Sequence, residues 1–128
     1  MLKSAIILVF SVVLSGQFSD FRLPTDTVIC SILQETKCEW RNNWKSAEGV
    51  RRELDAGKPP VQFYYFCNEN RTENCGFWID ENNEKIEEAS CLDRLIDDNF
   101  VIETMDIKIL GDYTKFPEEK GDKKLIIE

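Results

Sequence analysis

Ser46-Ala47-Glu48-Gly49-Val50-Arg51-Arg52-Glu53-Leu54-Asp55-Ala56-Gly57-Lys58-Pro59-Pro60-Val61-Gln62-Phe63-Tyr64-Tyr65-Phe66 is the stretch on which the fold turns. Its two halves read differently. Ala47, Val50 and Leu54 recur at spacings of three and four, which places them on one helical face, with Arg51, Arg52, Glu53 and Asp55 on the other. Ser46 suits an N-cap and Gly57 a stop, so a helix is expected over residues 46–56. Lys58-Pro59-Pro60 is a rigid connection. Val61 to Phe66 is rich in β-formers and apolar on both faces, as a central strand would be.

Working outward, Val28 to Leu33 reads as a strand, and residues 17–26, with Pro24, as an irregular arm. Downstream, 67–74 is a polar loop. A second helix is expected over 82–98, with Ile86, Ala89, Leu92, Leu95 and Ile96 as its apolar stripe and acids in its first turns. Phe100 to Leu110 reads as a long strand, Gly111-Asp112 as a turn and 115–124 as a charged surface loop with Pro117. Leu125 to Ile127 is a short last strand. Strand, helix, strand, helix, strand is the order of an α/β domain: a single small domain with central strand Val61 to Phe66 and flanking helices.

The N-terminus sets the compartment. Lys3 precedes the apolar run Ala5 to Leu14, and Ser15-Gly16 supplies small residues at a cleavage point. Residues 1–16 read as a secretory signal peptide, too short to span a bilayer as a mature helix. Residues 17–128 are then one domain. With 42% hydrophobic and 11% aromatic residues, the chain has the means to build a core. The expected destination is secretion, with the ER lumen as the alternative; the C-terminal Lys124-Leu125-Ile126-Ile127-Glu128 is not a retrieval signal. The formal charge of −8 argues against nucleic acid and anionic membrane as partners. No second apolar run reaches membrane length. With no histidine, Ser-His and Cys-His catalysis and histidine metal ligation are excluded. No cofactor and no metal are expected.

Five cysteines follow the signal: Cys30, Cys38, Cys67, Cys75 and Cys91. In an oxidising compartment at most two internal bridges form, and the odd thiol stays free or links two chains as a disulfide-bonded dimer.

A family resemblance rests on several of these features together. Trp44, a helix ending in Gly57-Lys58-Pro59, a central apolar strand, a cysteine loop and helix, and Asn99-Phe100-Val101 opening a strand that ends near Asp106 resemble a thioredoxin-like domain. The branch is the secreted and ER-lumenal one that includes the anterior-gradient proteins, and the likeness spans residues 44–109. It implies a redox cysteine between the central strand and the next helix, and Cys75 takes that place as the catalytic candidate. A thiol at a helix N-terminus has its thiolate stabilised and its pKa lowered. The second thiol of the family's Cys-x-x-Cys is replaced by Trp78, Cys67 to Cys75 is an insertion, and Pro117 is the one late candidate for the family's cis-proline. The structural reading of the same residues is a Cys67–Cys75 bridge closing the polar loop, and it is preferred. Cys30 and Cys38 are the other disulfide candidates.

A second resemblance is to a GRF-type zinc finger, carried by Phe63-Tyr64-Tyr65-Phe66-Cys67 and Cys75-Gly76-Phe77-Trp78-Ile79-Asp80. Its four ligands would have to include Cys30 and Cys38, whose gap is wider than that family's. Asn70-Arg71-Thr72 is a glycosylation sequon, and Asn70 is expected to carry glycan. Asp80-Glu81-Asn82-Asn83-Glu84 lacks calcium-loop spacing and reads as an acidic helix start. Trp40, Trp44 and Trp78 read as packing residues. The expected function is a secreted or ER-lumenal thioredoxin-like binding module with a degenerate active site, for a protein partner or client. The alternatives are weak thiol–disulfide exchange through Cys75 and a small disulfide-stabilised secreted effector. The balance favours a non-enzyme.

Overall fold

The computed structural model describes residues 26–87 and 89–128; the expected signal peptide and the expected arm after it, through residue 25, lie outside them. Nine strands follow in order: β1 (Thr27–Cys30), β2 (Cys38–Arg41), β3 (Gly49–Leu54), β4 (Val61–Tyr65), β5 (Trp78–Ile79), β6 (Arg94–Ile96), β7 (Asn99–Ile102), β8 (Gly111–Phe116) and β9 (Lys124–Ile127). One 3-10 turn, Ile107–Ile109, sits between β7 and β8 and is capped by the Asp106 side chain. The α/β expectation, with its thioredoxin-like core and flanking helices, is therefore corrected to an all-β domain.

Both expected helices fail for the same physical reason. In β3, the alternate side chains of Val50, Arg52 and Leu54 are buried, while Arg51 and Glu53 turn outward. The period is two, and the buried Arg52 conceals it. In the 82–98 segment, Ile86 and Ala89 pack on the core, but Leu92 and Ile96 of the supposed apolar stripe are 53% and 42% exposed and Asp93 is 1% exposed. Local turns replace the helix there. Asp80 Oδ1 accepts the N–H groups of Asn82 and Glu84, and Asp97, with φ 54°, starts the two-residue hairpin between β6 and β7. Further corrections concern boundaries. The long strand expected from Phe100 stops at Ile102, and Gly111, Asp112, Lys115 and Phe116 are strand residues, not turn or loop.

The strands form two sheets. Six lie in the order β1-β9-β8-β3-β4-β5, with β1 parallel to β9 and the rest antiparallel; three lie in the order β2-β7-β6. This pairing is the strand order of a variable-type immunoglobulin sandwich, in which a first strand lies parallel to the last and two extra central strands extend the larger sheet. The strand expected at Val61 to Phe66 is β4, next to the edge strand β5 and not at the sheet's centre.

Aromatic residues bind the sheets. Phe100 of β7, fully buried, meets Trp40 of its own sheet and Tyr64 and Trp78 of the other at ring-centre distances of 6.5, 5.1 and 6.2 Å. Burying a side chain of this size stabilises by about 1.5–3 kcal/mol. Tyr113 of β8 donates from Oη to the Ile109 carbonyl at 2.7 Å, closing the corner before its strand. In immunoglobulin sandwiches such a tyrosine stands two residues before the cysteine that bridges the sheets. Here that place holds Lys115. A covalent tie between the sheets exists elsewhere: the Cys30–Cys38 disulfide joins the end of β1 to the start of β2.

Among the described residues three charged side chains are buried in this core: Arg52, Asp93 and Lys115. The Arg52 guanidinium lies 3.7 Å from the Trp78 ring centre, and its Nε and Nη2 donate to Gln62 Oε1 at 2.9 and 2.6 Å. Tyr64 Oη donates to the Asp93 carbonyl at 2.7 Å.

Candidate functional site

Register determines what gathers at one end of the sandwich. Gly49 stands opposite both Phe116 and Tyr65, so the segments 42–48, 66–77 and 117–123 leave the larger sheet side by side. Gly49 is required there, because a Cβ would collide with the Tyr64 carbonyl.

Lys115 ties two of these loops. Its Nζ donates to the Asn43 carbonyl at 3.0 Å and contacts Glu119 Oε1 at 2.6 Å and Asp122 Oδ1 at 2.8 Å. Burial alone would pull the Lys115 pKa down, but the bonds to Asp122 and Glu119 outweigh it and the pKa is raised. Glu119 is held below the usual carboxylate range by the bond from Lys115 and then by the Ser46 hydroxyl, 2.6 Å away. Trp40 Nε1 and Asn42 Nδ2 both donate to the Lys123 carbonyl, at 3.0 and 3.1 Å. The loops are thus braced by named bonds at both ends.

The third loop is closed by the Cys67–Cys75 disulfide. Gly76 follows with φ 76°, and its N–H returns to the Tyr65 carbonyl at 2.8 Å. Within the loop, Asn68 Oδ1 accepts the N–H groups of Asn70 and Arg71. The Arg71 guanidinium then folds back over the Tyr65 ring, 3.6 Å from its centre, and donates to the Asn74 carbonyl. Asn70, the glycan candidate, is exposed at the loop's tip.

Beside this loop lies the outer face of the six-stranded sheet. Alternation turns Phe63 and Tyr65 of β4 and Phe116 of β8 outward, half-buried against one another at 6.3, 6.0 and 5.8 Å. With Arg71 they form one aromatic–cationic surface reaching to the loop end. The reading of the sequence missed Phe116, assigned to a surface loop. The alternation of Phe116 with Thr114 was the available signal, and the buried Lys115 between them obscured it.

The cysteines are placed differently from a redox site. Cys75 is buried, bonded to Cys67, and no helix begins after it, so the helix-terminus argument for a low thiol pKa has no structural basis here. Cys30, Cys38, Cys67 and Cys75 are bonded in pairs and form no four-thiolate set. Cys91 is exposed and free. Among the described residues no group of three or more His, Cys, Asp or Glu could hold a metal, and no helix is long and apolar enough to cross a membrane. Trp40, Trp44 and Trp78 lie in the core. Compared with known proteins, the chain matches no family model, no curated sequence and no solved structure.

Proposed function

We propose that this chain is a secreted, disulfide-stabilised binding module that engages a protein partner through the outer aromatic face of its larger sheet and the adjoining loop end. The observation that carries the reading is the Phe63, Tyr65 and Phe116 cluster, capped by Arg71. Aromatic and arginine side chains are the usual anchors of protein interfaces, and they lose little conformational entropy on contact. The braced loops add a preorganised rim, which lowers the ordering cost of association. Secretion rests on residues 1–16, and the Asn70 glycan on the sequon at an exposed loop tip.

The test compares the native mature protein with a Tyr65→Ser, Phe116→Ser double variant as bait in extracellular fluid of the source. Both side chains point outward, so the variant should keep the near-ultraviolet dichroism of its buried tryptophans and lose the captured partner. Equal capture by both baits, or none by either, overturns the reading. Intact mass from a secretory host should show a chain starting near Gly16 or Gln17. A glycosidase shift that vanishes in Asn70→Gln is expected; a secreted chain retaining Met1 would remove the argument for the compartment.

A further inference from the structure

At the end of the sandwich opposite the loops lies a cavity of about 570 Å³. It opens between the end of β3, the segment before β6 and the connection that carries the 3-10 turn. The volume falls in the range of small-molecule sites. Leu54, Ile86, Ala89 and Ile109 give it apolar walls, the exposed Lys58 and Lys108 line it together with one acid, Asp106, and Arg52 reaches it from the core.

Arg52 is the unusual member. It is 2% exposed, yet no described carboxylate forms an ion pair with it. Asp93, the nearby acid, is occupied by Trp78 Nε1 and the Glu103 N–H. A guanidinium carries five N–H donors in a planar fork. Among the described residues Gln62 Oε1 accepts from Nε and Nη2, and Tyr113 Oη accepts from Nη1 at 3.4 Å. One N–H on each terminal nitrogen is left over. Asp93 acts on Arg52 through its charge without touching it, so among the described residues no carboxylate takes these two N–H groups, and two adjacent N–H groups match the two oxygens of a carboxylate.

We propose that the cavity binds a monocarboxylate with an apolar body. The carboxylate accepts the two remaining Arg52 N–H bonds, and the body lies against Leu54, Ile86, Ala89 and Ile109. Lys58 and Lys108 outnumber Asp106 and draw the anion in. The inference is independent of the protein-binding reading, since it concerns the opposite end of the fold.

The experiment titrates octanoate and 1-octanol into the native, disulfide-intact chain by calorimetry, with nitrogen-15 NMR to locate the site. Octanoate should bind at least about tenfold more tightly than 1-octanol, the scale of a charge-assisted bond. Its shift changes should centre on Arg52 Nε–H and the Ile109 amide. Arg52→Met should abolish the preference for the carboxylate. Should that variant not fold, Ala89→Trp fills the cavity from its loop side without touching Arg52, and it should abolish octanoate binding. Equal affinity for the two probes, no saturable octanoate binding, octanoate binding retained in Ala89→Trp, or shift changes centred on Phe63 and Tyr65 would each overturn the proposal.

Discussion

Trp78 Nε1 donates a 2.9 Å hydrogen bond to Asp93 Oδ2, and this single contact joins edge strand β5 of the larger sheet to the approach to β6 in the smaller one. Asp93 Oδ1 takes the Glu103 N–H at 3.2 Å. Burial raises the Asp93 pKa, while the Trp78 bond and the charge of Arg52 pull it down. Asp93→Ala leaves a buried indole N–H and a buried guanidinium without this acid, and it should cost about 3–5 kcal/mol. Asp93→Asn keeps an acceptor for Trp78 and should cost less, about 1–3 kcal/mol. Urea denaturation of both variants checks the order; equal losses would show that the charge, and not the shape or the acceptor, is what the site needs.

The phenols of Tyr64 and Tyr113 should titrate late. Burial pushes each up to about 12, with the Asp93 charge adding to the effect at Tyr64 and Arg52 opposing it at Tyr113. A folded pKa above the unfolded value of 10.0 means that the unfolded chain loses its proton first. The contribution is whole below pH 10 and is lost as pH rises toward 12. Ultraviolet titration should show these two phenols ionising together with unfolding. In Tyr113→Phe, which also loses the bond to the Ile109 carbonyl, stability should fall by about 1–2 kcal/mol at neutral pH.

Lys115 makes the loop end sensitive to pH at both extremes. The Glu119 pKa is depressed, so its contribution is present above the ordinary 4.5 and is lost as pH falls through the lower, folded value. The Lys115 pKa is raised, so its contribution is present below 10.5 and is lost as pH rises past it. Lys115→Met would leave Glu119 and Asp122 facing each other without their cation. Faster hydrogen exchange at the amides of Glu119 and Lys123 is expected, with global stability lower by about 1–3 kcal/mol. Unchanged exchange would mean that the indole and Asn42 bonds to Lys123 hold the loops by themselves.

Native protein should titrate one thiol per chain with Ellman's reagent, that of Cys91. Cys91→Ser should remove that thiol and any disulfide-linked dimer together. A Cys67→Ala, Cys75→Ala double variant frees the loop that carries Asn70 and Arg71, and should lower stability by about 2–3 kcal/mol. Negligible thiol–disulfide exchange is expected from native protein, since both loop sulfurs are bonded; turnover abolished by Cys75→Ser would reverse this.

Some of the architecture is legible along the chain. Val61 to Tyr65 and Lys124 to Ile127 declare themselves as strands because local β-preference and their neighbours' polarity agree. The outward aromatics of β4 were not legible: Val61 to Phe66 reads as apolar on both faces, and Gln62, the one polar residue in the run, is buried while Phe63 and Tyr65 turn outward. What only the tertiary structure decided was whether Gly49 to Leu54 pairs or coils, and with it the whole fold class. The same local pattern serves both: Val50 and Leu54 are four apart, and they are also alternate inward positions with Arg52 between them. Reading Arg52 as a solvent-facing charge selects the helix. Its burial against Trp78, Gln62 and Tyr113 selects the strand, and those partners are 10 to 61 residues away in sequence. Asp93 and Lys115 mislead in the same way, and Lys115 stands where a bridging cysteine would have announced the sandwich. A charged residue can be buried only where distant atoms supply its hydrogen bonds, and no local window contains those atoms.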